Sequence, residues 1–268
     1  MYITTVYRRI MMNILCIGDI VGKPGRNYIN TYLPKLMKEY NVDFVVANGE
    51  NCAHGVGITR NTYDELVYAG VDVITLGNHT WAKKEVTEFI EDKINLIRPA
   101  NFPTNNPGRG FTIIEKAGKR IAVINLVGRV YLDSYDCPFR KVDEILAKIE
   151  NQADIIIVDF HAEATSEKLA MGWYLDGRVT AVFGTHTHVQ TSDERLLPQG
   201  TGFITDVGMT GPYNSILGVD KDIIIKKFVT LMPGKFEVAE DKAVFGALLL
   251  EIDNNAVKAI KRLNIIEE

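Results

Sequence analysis

The sequence predicts an α/β fold with two packed sheets, and three observations carry that prediction. Short apolar runs rich in β-branched residues recur along the chain, each ending in a polar residue with glycine nearby. Stretches of helical periodicity alternate with several of them, which implies a largely parallel sheet covered by helices. Other apolar runs follow one another across tight turns, which adds antiparallel strands.

The first strand is "NILCIGD" (13–19), preceded by residues 1–11, which read as a loose arm or a start site placed too early, with translation beginning at Met11 or Met12. Arg8-Arg9 before an apolar stretch could suggest an export signal, but Asn13 and Asp19 interrupt it and no small-residue cleavage site follows. Further strands are expected at "DFVVANGEN" (43–51), "VDVITLGNH" (71–79), "ADIIIVDFH" (153–161), "VTAVFGTHTH" (179–188) and "TGFITD" (201–206). Helices are expected over roughly 26–40, 61–70, 82–91, 140–151 and 163–171. "GFTIIEKAGKRIAVINLVG" (110–128) reads as a hairpin turning at "KAGK", and "KFVTLM", "VFGALLLEID" and "AVKAIKRLN" read as late antiparallel strands. "LIRPANFPTNNPGRGF" (96–111) is a Pro/Gly/Asn-rich loop rather than a linker, so residues 12–268 form a single domain.

Composition narrows the function. The chain is 46% hydrophobic and 24% charged with a net charge of −4 of mixed sign, which argues against broad binding to nucleic acid or an anionic membrane. No apolar stretch reaches the ~20 residues of a spanning helix. Three scattered cysteines (Cys16, Cys52, Cys137) give no disulfide framework and favour a reducing, cytoplasmic setting.

The unusual residues gather at the carboxyl ends of the expected strands, where open α/β sheets bind ligands. They are Asp19, Glu50 with Asn51, Asn78 with His79, His161, and the pair His186 and His188. On a strand, positions two apart share a face, so His186 and His188 can converge. Three imidazoles, two carboxylates and amide oxygens without an obvious thiolate suit zinc, iron, manganese or related ions. The set is too large for one tetrahedral ion and better matches two ions sharing a carboxylate. Such a centre keeps positive charge for an anion such as a phosphate ester.

In order, "GDIVG", "NGEN", "GNHT", "DFHAEATSEK" and "GTHTHVQT" resemble the strand-end motifs of the calcineurin-like metallophosphoesterases, and most nearly those of the YmdB-like branch, over about residues 13–265. One departure from the wider superfamily is that Val21 stands where its first motif has histidine. The resemblance implies a four-layer α/β/β/α sandwich of two packed mixed sheets. It implies that Asn51 supplies the replacement, with one metal held by Asp19, Glu50, Asn51 and His188 and the other by Glu50, Asn78, His161 and His186. Two divalent or mixed-valence ions are implied, iron foremost, with manganese or zinc as alternatives. The implied activity is hydrolysis of cyclic nucleotides, 2′,3′-cyclic forms foremost, by a metal-bridging hydroxide. His79, next to Asn78, fits the general acid that protonates the departing ribose oxygen.

Supporting roles are expected for Asp159, Glu163 and Asp193, which lie near ligand histidines in sequence and could fix their tautomers. Cys52 reads as a small strand-end residue and His54 as a surface-loop histidine. "GDIVGKPG" is one residue short of a phosphate-cradling Walker loop and has proline in place of its Ser/Thr. A deacetylase would place its H-x-H pair nearer the start of the chain. A phosphomonoesterase or other phosphodiesterase on the same site stays open, as does a metal-containing regulatory binding module. Expected partners are thus a small phosphodiester, with no stable nucleic-acid or membrane binding. A homo-oligomer is suggested by the resemblance, and an RNA-decay partner is open.

Overall fold

In the computed structural model, which describes residues 11–267, the chain forms fourteen strands and five α-helices. In chain order these are β1 (Met11–Ile17), β2 (Asp19–Ile20), α1 (Gly22–Glu39), β3 (Phe44–Asn48), α2 (Arg60–Tyr68), β4 (Val73–Thr75), β5 (Leu96–Ile97), β6 (Phe111–Lys116), β7 (Lys119–Val127) and α3 (Pro138–Lys148). They continue with β8 (Ile155–His161), α4 (Thr165–Leu175), β9 (Ala181–Thr185), β10 (Arg195–Leu196), β11 (Gly202–Ile204), β12 (Met209–Pro212), α5 (Lys221–Thr230), β13 (Ala243–Asp253) and β14 (Ala256–Ile266).

Two mixed sheets result. The first runs β2-β12-β13-β1-β3-β4-β5, with β14 also on β13; the second runs β10-β11-β9-β8-β7-β6. Within them β1, β3, β4 and β5 are parallel, as are β7, β8, β9 and β11. Strand alternation then sorts the apolar residues into three buried layers. Leu15, Ile17, Val45 and Ala47 pack on Ile29 and Leu33 of α1 and Leu66 of α2. Their neighbours Ile14, Cys16, Phe44 and Val46 face the other way, onto Ile121, Val123, Ile157 and Phe183 of the second sheet. Ala122, Ile124, Val158 and Phe160 cover the far side of that sheet, against Val142 and Ile145 of α3 and Met171 and Leu175 of α4. Three apolar interfaces between successive layers make the four-layer α/β/β/α sandwich. Each fully buried Leu, Ile or Phe in them contributes about 1.5–3 kcal/mol.

The hairpin at 110–128 and the late strands at 244–253 and 256–264 form as expected, and four helices lie within a few residues of their expected bounds. Three expectations are corrected. Residues 82–91 hold only a 3-10 turn, Lys84–Glu88, in which the Thr87 hydroxyl donates back to the Lys84 carbonyl, a bond that competes with a regular helix. "KFVTLM" is not a strand: Lys227–Thr230 ends α5, whose first turn is capped by the Asp220 carboxylate accepting from the amides of Asp222 and Ile223. β1 begins at Met11, so that residue belongs to the sheet, whereas the expectation for residues 1–10 lies outside the described residues. No described helix is long and apolar enough to cross a membrane.

Candidate metal centre

The parallel strands of both sheets end at one place. β1 leads through Gly18 into Asp19, β3 leads to Glu50 and Asn51, and β4 to Asn78 and His79. From the second sheet, β8 ends on His161 and β9 ends at Thr185, just before His186. His186 and His188 therefore do not sit on a strand. They occupy the turn after β9 with left-handed backbone, φ 98° and 63°, a conformation that costs non-glycine residues of order 1–3 kcal/mol each. The two rings reach the same site through this turn, but at different points.

The His186 ring meets His161, Nδ1 to Nε2 at 3.0 Å, and His161 Nε2 also lies 2.9 Å from Asn78 Oδ1 and 3.1 Å from Glu50 Oε1. The His188 ring meets the other half: its Nε2 is 3.1 Å from the Asn51 amide and 3.7 Å from Asp19 Oδ1. Glu50 touches both halves, because its Oε1 also lies 3.3 Å from Asn51 Nδ2. Asp19 ties the halves from the other side, its Oδ2 accepting the His186 backbone amide at 3.0 Å and its Oδ1 lying 3.9 Å from His161 Nδ1. All seven residues expected as ligands are thus drawn into one cluster.

Hydrogen bonds assign the histidine protons. The Thr185 hydroxyl donates to Asp159 Oδ1 at 2.7 Å, so it accepts from His161 Nδ1 at 2.9 Å and leaves Nε2 as the nitrogen that can give up its proton to a cation. His186 Nε2 lies 3.1 Å from the Glu163 carboxylate, an ion-pair distance, and Nδ1 faces the cluster. His188 Nδ1 donates to the Leu217 carbonyl at 3.0 Å, which frees Nε2. In every case the nitrogen without an outer partner is the one that faces the cluster. That is how metal-binding imidazoles are oriented by their outer partners.

Electrostatics point the same way. Asp19 and Glu50 are buried, which alone would raise their pKa values, yet the imidazoles around them pull both below the ordinary carboxylate range. Burial opposes protonation of His161, but Glu50 and Asp19 raise it to about 9. Burial, together with the charge of His161, lowers His186 to about 4. His188 is raised by Asp19 despite its burial. Among the described residues, the ion-pair partners of Asp19 and Glu50 are all histidines. Two buried carboxylates answered only by neutralisable imidazoles form a donor set that fits cations. Gly77 keeps the space between them clear: a Cβ there would lie 2.4 Å from both Glu50 Oε2 and His161 Nε2.

Several residues that sequence reasoning missed hold this arrangement. Asn48 accepts the Glu50 amide on Oδ1 and donates to Asp159, so one buried side chain aligns both sheets. Thr75 and Thr185 donate to the same Asp159, whose pKa burial pushes up to about 7. Lys168 and Asp206 form a buried ion pair at 2.6 Å, and Asp206 accepts the amide and hydroxyl of Thr187, between the two turn histidines. A polar residue ending an otherwise apolar run, as in "VVAN", was the signal available for Asn48. Of the expected supports, Glu163 pairs with His186 at 3.1 Å and Asp159 reaches His161 through Thr185. Asp193 bonds Thr191 and Thr205 rather than a histidine. Cys52 is buried with its thiol against Thr62. His79 gives its backbone amide to Glu50 Oε2 at 3.0 Å, and its exposed side chain lines the cavity above the cluster. His54 lines that cavity too, so it belongs to the site's surroundings rather than to an unrelated surface loop.

Similarity to known proteins agrees with this geometry. The 2′,3′-cyclic-nucleotide 2′-phosphodiesterase of Bacillus subtilis is 55% identical over 250 residues, 93% of this chain and 95% of that one. A crystal structure of a phosphatase from Mycoplasma pneumoniae superposes with a TM-score of 0.92 at 37% identity, covering 97% of this chain and 95% of the other. An NAD nucleotidase of Haemophilus influenzae shares the fold alone, with a TM-score of 0.60 at 16% identity over 97% of this chain and 56% of its own. A family model described as YmdB-like protein matches residues 15–264. With the ordered strand-end motifs, the sandwich and the two-halved cluster in place, the chain belongs to the YmdB-like proteins, on the calcineurin-like metallophosphoesterase fold.

Proposed function

We propose that this chain is a metal-dependent phosphodiesterase acting on cyclic nucleotides, 2′,3′-cyclic forms foremost. The observation that carries the reading is the convergence of His161 Nε2, His186 Nδ1 and His188 Nε2, each ring held at its other nitrogen by a named partner, on the carboxylates Asp19 and Glu50. The activity printed for the Bacillus subtilis relative supports the substrate class.

Asp19, Glu50, Asn51 and His188 would hold one ion, and Glu50, Asn78, His161 and His186 the second. Glu50 is the residue that touches both halves. The Asn51 amide can present its oxygen to the cluster by a half-turn, since the two ends of the amide are nearly isosteric. When bound, two divalent or mixed-valence ions supply positive charge against the phosphodiester and a water acidic enough to serve as nucleophile near neutral pH. Iron is the foremost candidate, with manganese and zinc behind it.

The chain's own contribution is orientation and proton transfer. Glu163, Thr185 and the Leu217 carbonyl hold the three rings in the required tautomer. His79 is anchored through its amide to Glu50, and its side chain is free in the cavity to protonate the leaving ribose oxygen.

Metal analysis and a substrate panel on the same preparation test the reading. The expected result is about two ions per chain and chelator-sensitive hydrolysis of 2′,3′-cyclic AMP. Loaded protein that cleaves only monoesters would make it a phosphomonoesterase, and loaded protein that cleaves nothing would leave a binding module.

A further inference from the structure

The cluster lies at the bottom of a cavity of about 520 Å³ whose walls differ sharply. Glu50, Asn51, His79, Glu163, His186 and His188 form the floor. Above them most of the lining is aliphatic or aromatic, Val56, Leu217, Val219, Phe236 and Val238, with His54 and Glu237 as its polar members. None of these five apolar residues is needed to bind a cation or a phosphate.

This wall is constructed rather than incidental. Val238 is bridged to Val219 in antiparallel fashion, with the Asp220 amide donating to the Glu237 carbonyl and the Ala239 amide to Gly218. It also fits against two glycines of positive φ: a Cβ on Gly22 or Gly55 would come within 2.8 or 2.7 Å of its methyl groups. Any other residue at either place would force Val238 to shift. Two residues before this anchor stands Phe236, half-exposed although aromatic. The Lys227 ammonium covers one face of its ring at 4.6 Å from the centroid. The ring is half open to solvent and lines the same cavity as the cluster.

We propose that Phe236, backed by Leu217 and Val238, is the platform on which the nucleobase of the substrate stacks while its phosphate occupies the floor. This assignment rests on the cyclic-nucleotide reading above and adds the residue that separates a nucleotide from a bare phosphodiester. A floor of polar donors can recognise only the phosphate and the nearby ribose oxygens. An apolar, ring-bearing wall continuous with that floor matches the other end of a nucleotide, a flat π-system with little charge. Base–aromatic stacking of this kind changes affinity by roughly tenfold or more on truncation to alanine. The Lys227 ammonium against the ring holds it in place by a cation–π contact.

The test compares wild-type holoenzyme with Phe236→Ala and Phe236→Trp on 2′,3′-cyclic AMP and on the cyclic phosphate of 1,2-propanediol, which has the same ester ring but no base. Binding of adenosine 3′-monophosphate is measured in parallel by calorimetry. The expected result for Phe236→Ala is a rise of roughly tenfold in KM for the nucleotide with little change in kcat. The nucleotide-to-diol ratio of kcat/KM should fall by the same factor, and tryptophan should restore it. An unchanged ratio would overturn the platform while leaving the phosphodiesterase reading intact. If wild type cleaves no cyclic nucleotide, that reading fails by itself and the calorimetry decides the platform. Weaker binding of the monophosphate by Phe236→Ala upholds it, and equal binding rejects it.

Discussion

The floor and the rim of the same cavity are built on opposite principles. Floor residues Asp19, Glu50 and His161 are essentially inaccessible, and each is tied by backbone amides or by side chains that are themselves buried. The rim exposes apolar groups: Leu217 and Phe236, both in its lining, are about half open to solvent. Floor chemistry needs atoms held to within tenths of an ångström, and the ends of several parallel strands meeting at one place supply that. The rim needs only an anchored strap and a surface of the right polarity. The two regions should therefore fail differently when altered.

The largest effect is expected on the floor. His161→Ala removes a nitrogen that touches Asn78, Glu50 and His186 at once, and should cost at least about 10³-fold in turnover, since a metal's charge stabilisation amounts to several kcal/mol. Metal content should fall with it, as inductively coupled plasma analysis would show. Retention of both ions with near-normal turnover would mean that the cluster is not the centre. His79→Ala should be the informative contrast, because His79 offers the cluster only its backbone. Both ions should stay while kcat drops about 10²-fold, the typical value of a general acid. Equal kcat in the presence of full metal would remove His79 from the chemistry.

Beneath the floor, Lys168 and Asp206 are 2% and 1% exposed, and their pairing holds the amide and hydroxyl of Thr187. Lys168→Met strands a carboxylate in the interior, where breaking a buried pair costs about 3–5 kcal/mol. Denaturant titration reads this directly, and Lys168→Met with Asp206→Leu should recover most of the stability but not the geometry of the histidine turn. A single variant as stable as wild type would show the pair to be dispensable.

Floor and rim also differ in how they could be read from sequence. Strand-end ligands were legible because metal donors are rare residue types placed after apolar runs, and their order matched a known set of motifs. The three buried layers were legible through period-two alternation, as in Ile14, Leu15, Cys16 and Ile17, whose side chains fall on alternate faces. What misled was the assumption that apolar means interior. "IIIKKFVT" is β-branched and apolar, yet it forms the exposed helix α5, and the Asp220 cap before it was the overlooked signal. The histidine pair misled in a subtler way. Strand geometry predicted that both would face one point, and a left-handed turn instead divided them between the two halves. Asn48, Thr185 and Lys168 act through contacts more than 20 residues away, which no local pattern encodes.

Proton competition should separate the regions again. In the metal-free chain Glu50 and Asp19 raise His161 to about 9, so below that pH an incoming cation must displace its proton. Apparent metal affinity should therefore climb with pH by up to about tenfold per unit until about pH 9 and flatten above it. Titration by isothermal calorimetry in buffers of different ionisation enthalpy would count the proton released. Nucleotide contacts on Phe236 carry no titrating group and should not share that slope.

The smallest floor effect is expected at Glu163, and it tests whether the tautomer argument is right. Its carboxylate lies 3.1 Å from His186 Nε2 but is about half-exposed, with 47% of its side chain open to solvent. Water can therefore replace part of what it does. Outer partners of metal-binding histidines are worth about 10- to 100-fold in affinity, and partial exposure places Glu163→Ala at the lower end, about tenfold. Glu163→Gln keeps an oxygen able to accept the same N–H, so it should recover most of the loss. That rescue is the decisive comparison. If alanine and glutamine behave alike, what matters is the negative charge and not the acceptor, and the free nitrogen of His186 would need another explanation.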